Sequence, residues 1–487
     1  MQYPGFVSDF LSWLFARPAG DGLDRFMVQC FPWLVTALML AALLIYLPRY
    51  CYEGYTGRYF LNTHRLEPNE EPTWLRFGSR PLRAAIWVIM LFIASRALWL
   101  GAVQLCLMAD GNSLNAENFS YYINKWDTVN YTRIARDWYG FGDFGDDTYV
   151  QEYNIVFFPG FPLMIRALTA LVGDYVVSGL ILSNAFAIGS GLLLYALVSD
   201  MYSEPAARRC CVFFYFSVGA CVFSATHSES ACMFLTLLAV YLARRRRFVL
   251  AVVAGAYATF TRQFGLFAAV PVFYEMLRSL ERYPTGRDMI MRECVDTGAQ
   301  EGSATLLERA RRSVRLKHVG KYVALAACVL VGYGAYMAIN WAIYGSPTAF
   351  LYYQQLNWGN ELTPIWNCIS ITADHLMLYL RDGSNASGVV GIFLPQLVMA
   401  VLLPCLMLAF ARRGDAGDNA YMWCYVALTF SSTWLISGIR YISAMYPIYI
   451  MLGLLSQRRG ARWIMYALML ALFLFYNIYY CLDAVIV

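Results

Sequence analysis

Lys125-Trp126-Asp127 heads a stretch in which Tyr131, Ile134, Ala135 and Trp138 recur at i, i+3, i+4 and i+7, the spacing of an amphipathic helix with one apolar stripe. A carboxylate in the first turn of such a helix has two uses. As a cap it accepts hydrogen bonds from the free amides of the helix start. As a general base it takes the proton of an attacking sugar hydroxyl, which is too weak a nucleophile to act unaided. In that second reading Asp127 is the candidate base, with Trp126 and Lys125 beside it as substrate-binding residues. One carboxylate suffices when the leaving group is already good, as a lipid phosphate is, provided a cation or helix-end amides meet the released negative charge.

Other candidates follow along the chain. Thr226-His227-Ser228-Glu229 has the form of a capping box, a helix start in which hydroxyl and carboxylate satisfy each other's amides. The competing reading places His227 and Glu229 in a substrate site, because ionisable groups at membrane depth are often functional. Arg262 and Arg440 stand at helix ends on the side expected to be poor in positive charge. Each either snorkels to lipid headgroups or grips a lipid phosphate through two parallel hydrogen bonds. Arg96 lies inside an apolar stretch and is expected to pair with a neighbouring helix. Gln355 and Trp358, within a run that also holds Phe350, Gln354, Pro364 and Trp366, supply amides and indoles that suit sugar recognition or an interfacial cap. Asn154-Ile155-Val156-Phe157-Phe158-Pro159-Gly160-Phe161-Pro162 reads as a bent entry into a helix.

The elements that carry these residues must sit in lipid. Of the 487 residues 59% are hydrophobic and 14% charged, with mean hydropathy +0.48, whereas a soluble domain has roughly a quarter of its residues charged. Lipid leaves no water for backbone amides, and the apolar runs are too long and unalternating for barrel strands. The expected fold is therefore an all-α integral membrane protein of about twelve spans, over 27–47, 84–107, 175–197, 210–226, 230–243, 248–261, 265–277, 322–344, 389–410, 421–436, 441–455 and 463–481. No repeat or linker divides it, so the expected organisation is one membrane domain over 84–487. An extra N-terminal span and a polar cytoplasmic connection occupy 1–83.

Most of the 37 Lys and Arg fall in alternate connections, at 49–83, 208–209, 244–247, 278–321, 412–413 and 458–462. Those connections are expected in the cytoplasm, which turns 108–174 and 345–388 outward. The Asn-x-Ser/Thr triplets at Asn118, Asn130 and Asn385 fall on that outer side. The connection 278–321 is expected to be partly helical on the inner membrane surface. The N-terminus shows no apolar run followed by a cleavage site, so the first spans are expected to direct insertion. The 13 cysteines lie almost entirely in apolar stretches and read as small core residues, with Cys368 in an outer loop.

Several chemistries lack their motifs. There is no Asp-x-Asp triplet, the nearest being Asp143-Phe144-Gly145-Asp146-Asp147. Nor is there a glycine-lysine phosphate loop, a His-Glu-x-x-His or a dinucleotide fingerprint. No cofactor, no metal and no nucleic-acid partner is expected.

Taken in order, Trp126-Asp127 with Ile134-Ala135 to Tyr139-Gly140, Phe157-Phe158-Pro159-Gly160-Phe161-Pro162, Ser228-Glu229-Ser230, Thr261-Arg262 with Gly265, and Phe350, Gln355 and Trp358 give the chain its likeness to a known family. It resembles the PIG-V family, the second mannosyltransferase of glycosylphosphatidylinositol-anchor assembly, and its prokaryotic relatives, from about residue 84 to the C-terminus. The resemblance implies a GT-C fold and an inverting, metal-independent transfer of mannose from a polyprenyl-phosphate carrier, dolichyl phosphate in eukaryotes, to a glycolipid or glycan. It also implies an essential Trp-Asp pair, which here is Trp126-Asp127. The chain departs from the animal members at His227 and at Gln263-Phe264, which leaves the acceptor open. Its 37 basic residues are nearly all arginine, pointing to a GC-rich genome and hence to a bacterial plasma membrane; in a eukaryote the endoplasmic reticulum would take its place. Two other classes remain open, a lipid-linked sugar flippase or secondary transporter and a non-catalytic membrane subunit. The transporter predicts inverted repeats and mid-bilayer charges, the subunit an Asp127 that serves only as a cap.

Overall fold

The computed structural model describes residues 22–56, 79–109, 111–112, 115, 122–123, 125–139, 153–282, 317–382, 388–411 and 413–481. The Asp143 to Asp147 run, the triplets at Asn118 and Asn385 and most of the two longest basic connections lie outside these residues. Among the described residues the regular structure is helical, apart from an isolated antiparallel bridge between Leu362 and Ser432.

In chain order the helices that matter are α1 (Phe31–Thr56), α2 (Arg80–Ala109), α3 (Asp127–Asp137), α4 (Gly160–Val172), α5 (Tyr175–Met201), α6 (Glu204–Tyr215), α7 (Glu229–Arg244), α8 (Phe248–Thr261) and α9 (Ala269–Arg282). They continue with α10 (Val331–Tyr344), α11 (Ala349–Trp358), α12 (Ile365–Asp382), α13 (Leu394–Ala411), α14 (Ala416–Thr429), α15 (Gly438–Ser443), α16 (Pro447–Leu455) and α17 (Arg459–Cys481).

Among the described residues six helical segments are long and apolar enough to cross a membrane: Gly22–Glu53, Pro81–Ala109, Tyr175–Met201, Lys317–Tyr344, Val389–Ala411 and Arg459–Cys481. Their outer faces present large apolar side chains such as Ile45, Ile93, Leu105, Val331 and Ile464, which would be costly against water and are at home in acyl chains. This is a multi-pass membrane protein. The other apolar runs form shorter or interrupted elements. The run 210–226 leaves the helix after Tyr215 and continues as turns, 265–277 opens in the 3₁₀ segment Gln263–Ala268, and 441–455 is split between α15 and α16. Helix α7 has 16 residues, which at about 1.5 Å per residue reach about 24 Å, short of a ~30 Å hydrocarbon core.

Helix α7 is central, packed between α5 and α8; α6 lies against α5 and α16, and α2 against α5 and α17. Local chemistry fixes several starts. The Asp174 side chain accepts from Val177 N at 2.8 Å and opens α5. The Asp415 side chain accepts from Gly417 N and Asp418 N and opens α14. Two glycines allow the approaches on which the site depends. A Cβ at Gly160 would fall 2.6 Å from Thr261 Oγ1 and 2.8 Å from Phe260 O, and one at Gly265 would fall 2.2 Å from the Ala258 carbonyl carbon.

The second loop expected on the outer side contains α11 and the 18-residue helix α12. Cys368 is therefore buried in a helix and not placed in a loop. Helix α12 leans on the N-terminal segment, with Trp366 stacked on Trp33 at 4.8 Å and Ser370 Oγ donating to Val28 O. Helix α1 also contacts α9, α13 and α14.

Where α1 meets α9 and α14 there is a buried ionic network that also takes in the end of α7. Arg49 donates to Glu53 at 2.8 Å and to Gly414 O at 2.9 Å. Arg278, 1% exposed, pairs with Glu275 at 2.9 Å and Asp415 at 2.5 Å and approaches Glu53 at 3.7 Å. Arg244, at the end of α7, reaches Glu275 at 3.2 Å. Elsewhere Arg96, inside α2, donates to Asn184 Oδ1 on α5 and to Phe223 O, so its charge is met by neighbouring elements.

Candidate active site

The start of α3 is held by residues that flank Asp127. Trp126 takes φ +57° and, at the other end of the helix, Trp138 takes φ +61°, a left-handed backbone that is strained for bulky residues and persists only when packing over-determines it. Packing around Trp126 is of that kind, since its indole joins Cys221, Val222, Ala225, Tyr476 and Tyr480. Lys125 donates to Cys481 O at 2.7 Å, at the end of α17. Its ammonium is thus held on a backbone carbonyl, apart from the ion pairs of Asp127 and Glu229.

Asp127 is the first helical residue and its carboxylate does not cap the helix; Trp126 occupies the cap position without a side-chain hydrogen bond. Arg440 in α15 donates through one guanidinium nitrogen to Asp127 Oδ2 and through Nε to Glu229 Oε1. Glu229 is the first residue of α7, and Arg262 at the end of α8 meets the same Oε1 at 3.0 Å. The capping box does not form either, because the Thr226 hydroxyl donates to Val176 O and the Ser228 side chain makes no capping bond. Instead Ser228 Oγ accepts from Arg262 at 3.0 Å and lies 2.7 Å from Tyr131 OH. Arg262 also lies 5.1 Å over the Tyr441 ring.

Two guanidiniums and two carboxylates are thus gathered from α3, α7, the end of α8 and α15, with formal charges that cancel. Their exposures differ in a way that matters. Glu229 is fully buried and the Arg440 side chain is 5% exposed, while the Asp127 side chain is 26% exposed. A charge withdrawn from water has to keep its partner; one at the rim does not.

His227 sits beside this cluster, with Nδ1 3.4 Å from Thr128 Oγ1. With Arg440 it lines a small, mostly apolar cleft whose other walls include Cys221, Val222, Ile439, Tyr476 and Tyr480. Gln355 and Trp358 stand apart. Gln355 donates to Glu361 at 3.1 Å on the exposed side of α11. Trp358 packs edge-on to Tyr153 and Phe157, and Phe157 in turn packs on Tyr131 at 5.4 Å, so Trp358 borders the cluster through one aromatic ring. The turn carrying Phe157 is fixed by tyrosines, with Tyr139 OH donating to Phe157 O and Tyr336 OH to Ile155 O, both at 2.5 Å, and Tyr257 OH to Gly160 O at 3.1 Å. Among the described residues no three His, Cys, Asp or Glu side chains gather at metal-ligand spacing.

No family model matches the chain, and no curated protein matches it.

Tyr476 and Tyr480 escape a motif reading altogether. The available signal was a pair of tyrosines at i and i+4 with Asn477 between them in an apolar span, a polar stripe that in lipid must face protein. Thr128 and Tyr131 were visible as residues of the α3 helix, but nothing in their spacing tied them to His227 and Ser228.

Proposed function

We propose that the chain is a glycosyltransferase of GT-C type. It would transfer a sugar, mannose on the PIG-V resemblance, from a polyprenyl-phosphate carrier to a hydroxyl of a glycolipid or other glycan on the non-cytoplasmic face. The observation that carries this reading is a rim carboxylate, Asp127, held on a guanidinium that also borders an apolar cleft. A base, a cation and an apolar wall are what a reaction between a lipid-borne sugar and an alcohol calls for.

Asp127 accepts the proton of the acceptor hydroxyl as its oxygen bonds to the anomeric carbon. The bond from that carbon to the phosphate oxygen breaks on the opposite face, its electron pair leaving with the lipid phosphate, so the anomeric configuration inverts. Arg440 and Arg262 meet the charge on the leaving group, and Glu229 keeps the two guanidiniums in place. The apolar side chains Val222, Ile439, Tyr476 and Tyr480 lie beside Arg440, where the carrier chain would leave the phosphate. Trp126 and His227 shape the sugar pocket beside the base. Gln355 and Trp358 lie farther out, where an extended acceptor would pass. The twelve-span arrangement belongs to this proposal, with the short helices tilted or paired end to end. So does the outward orientation of α3.

Purified protein incubated with a prenyl-phosphate mannose and glycolipid extracts tests the reading. Transfer should release prenyl phosphate and mannosylated lipid in equal amounts. Donor that stays intact with every acceptor, or that crosses a vesicle membrane unchanged, would instead favour a subunit or a transporter.

A further inference from the structure

Arg440 has one partner it must keep and one it can release. Its Nε is bound to Glu229, which has no exposed surface and whose Oε1 is shared with Arg262. Its terminal nitrogen is bound to Asp127, the only member of the quartet with about a quarter of its side chain exposed. Withdrawing Glu229 from Arg440 would strand a buried charge, whereas withdrawing Asp127 lets the carboxylate turn to water or to a hydroxyl. In the closed pair Asp127 Oδ2, one of the two oxygens that could take the proton of an acceptor hydroxyl, is already occupied by the guanidinium.

We propose that Asp127 is masked by Arg440 until the phosphate of the lipid carrier takes its place on the guanidinium, so that binding the donor is what frees the base. This rests on the transfer reading given above and adds to it how the site is switched on. The incoming phosphate supplies the negative charge that Asp127 supplied, and Arg440 stays neutralised throughout. Glu229 is a positioning residue: it fixes the guanidinium plane so that the exchange occurs at one nitrogen only. Ser228, bridging Arg262 and Tyr131, holds the second guanidinium in the same frame. Binding is then ordered. The donor enters first, since the acceptor hydroxyl finds no available base before it.

The exchange has a signature that a fixed base lacks. Removing the charge of Asp127 deletes the internal competitor for Arg440, so the variant that cannot turn over should bind the lipid phosphate more tightly. Binding of geranyl phosphate to detergent-purified wild type and to Asp127→Asn, followed by calorimetry with inorganic phosphate as a parallel arm, reads this directly. A gain of about tenfold or more in affinity for geranyl phosphate is expected for Asp127→Asn, the scale of one charge-assisted hydrogen bond. Asp127→Ala should show the same sign. Melting temperatures recorded alongside establish that both variants are folded. Equal or weaker binding by the folded variants, with wild-type binding intact, overturns the exchange and leaves the transfer reading standing. If no protein binds geranyl phosphate, the transfer reading falls and the exchange with it. Inorganic phosphate that binds as tightly as geranyl phosphate overturns the assignment of the anion to a lipid.

Discussion

Helix α7 begins in one ionic cluster and ends in another. At its first residue Glu229 joins Arg440, Arg262 and Asp127; at its last, Arg244 joins Glu275, Arg278, Asp415, Glu53 and Arg49. Both clusters are drawn from distant parts of the chain and both sit in low dielectric, where an uncompensated charge is expensive. They differ in closure. The Arg244 end is nearly sealed: the Arg278, Glu53, Glu275 and Asp415 side chains are all at most 4% exposed, Arg49 is 6% and Arg244 11%, and the network joins the N-terminal helix α1 to α7, α9 and α14. The Glu229 end is open at Asp127 and bordered by a cleft. A sealed network can only hold helices together, while one with a releasable member next to a cavity can exchange a partner with a ligand.

Substitutions should separate the two. Arg440→Met should have the largest effect, because it removes the cation that both acids share. Transfer should be lost and stability should fall by about 3–5 kcal/mol, read as a lower unfolding midpoint in detergent. Arg278→Met should cost a similar 3–5 kcal/mol. Its folded fraction should nonetheless transfer sugar at a rate within about twofold of wild type, since only contacts remote from the reaction are lost. A large rate loss in folded Arg278→Met would mean that the two ends are coupled and the comparison is wrong.

Gly160→Ala is smaller. The added methyl meets Thr261 and the Phe260 carbonyl, so overpacking of about 1–3 kcal/mol is expected. Because Arg262 follows Thr261 directly, a fall in transfer rate should accompany it. Tyr274→Phe is smaller still, removing one hydrogen bond to Tyr50 O at 3.0 Å between α9 and α1. It should cost about 0.5–1.5 kcal/mol and leave the rate unaltered.

Much of this arrangement was legible in the sequence, and the parts that were not have identifiable causes. Helicity followed from apolar run length, and the α3 stripe from the spacing of Tyr131, Ile134 and Ala135, all of which are buried. Arg262 and Arg440 stood out as cations on a side that should have few, and both join the cluster. What no local pattern contains is pairing across the chain. Arg440 and Asp127 are separated by 313 residues, so the choice between a capping and a buried paired carboxylate had to wait for the tertiary structure. Helix ends are not legible where turn residues, such as Val218 to Ala225, continue a hydrophobic run after the helix has stopped. The direction of Lys125 is a related case: adjacency to Asp127 suggests one destination, while its reach of four methylenes takes the ammonium to the Cys481 carbonyl.

Proton transfer to Asp127 is read from the transfer rate of Asp127→Asn with prenyl-phosphate mannose, measured beside its melting temperature. A general base contributes about 10²–10⁴-fold, so the rate should fall by that factor in a protein that still unfolds cooperatively, its melting temperature lowered by no more than about 5 °C, the scale of one lost charge-assisted hydrogen bond, because Arg440 retains Glu229. A folded Asp127→Asn protein that turns over at the wild-type rate would contradict the account.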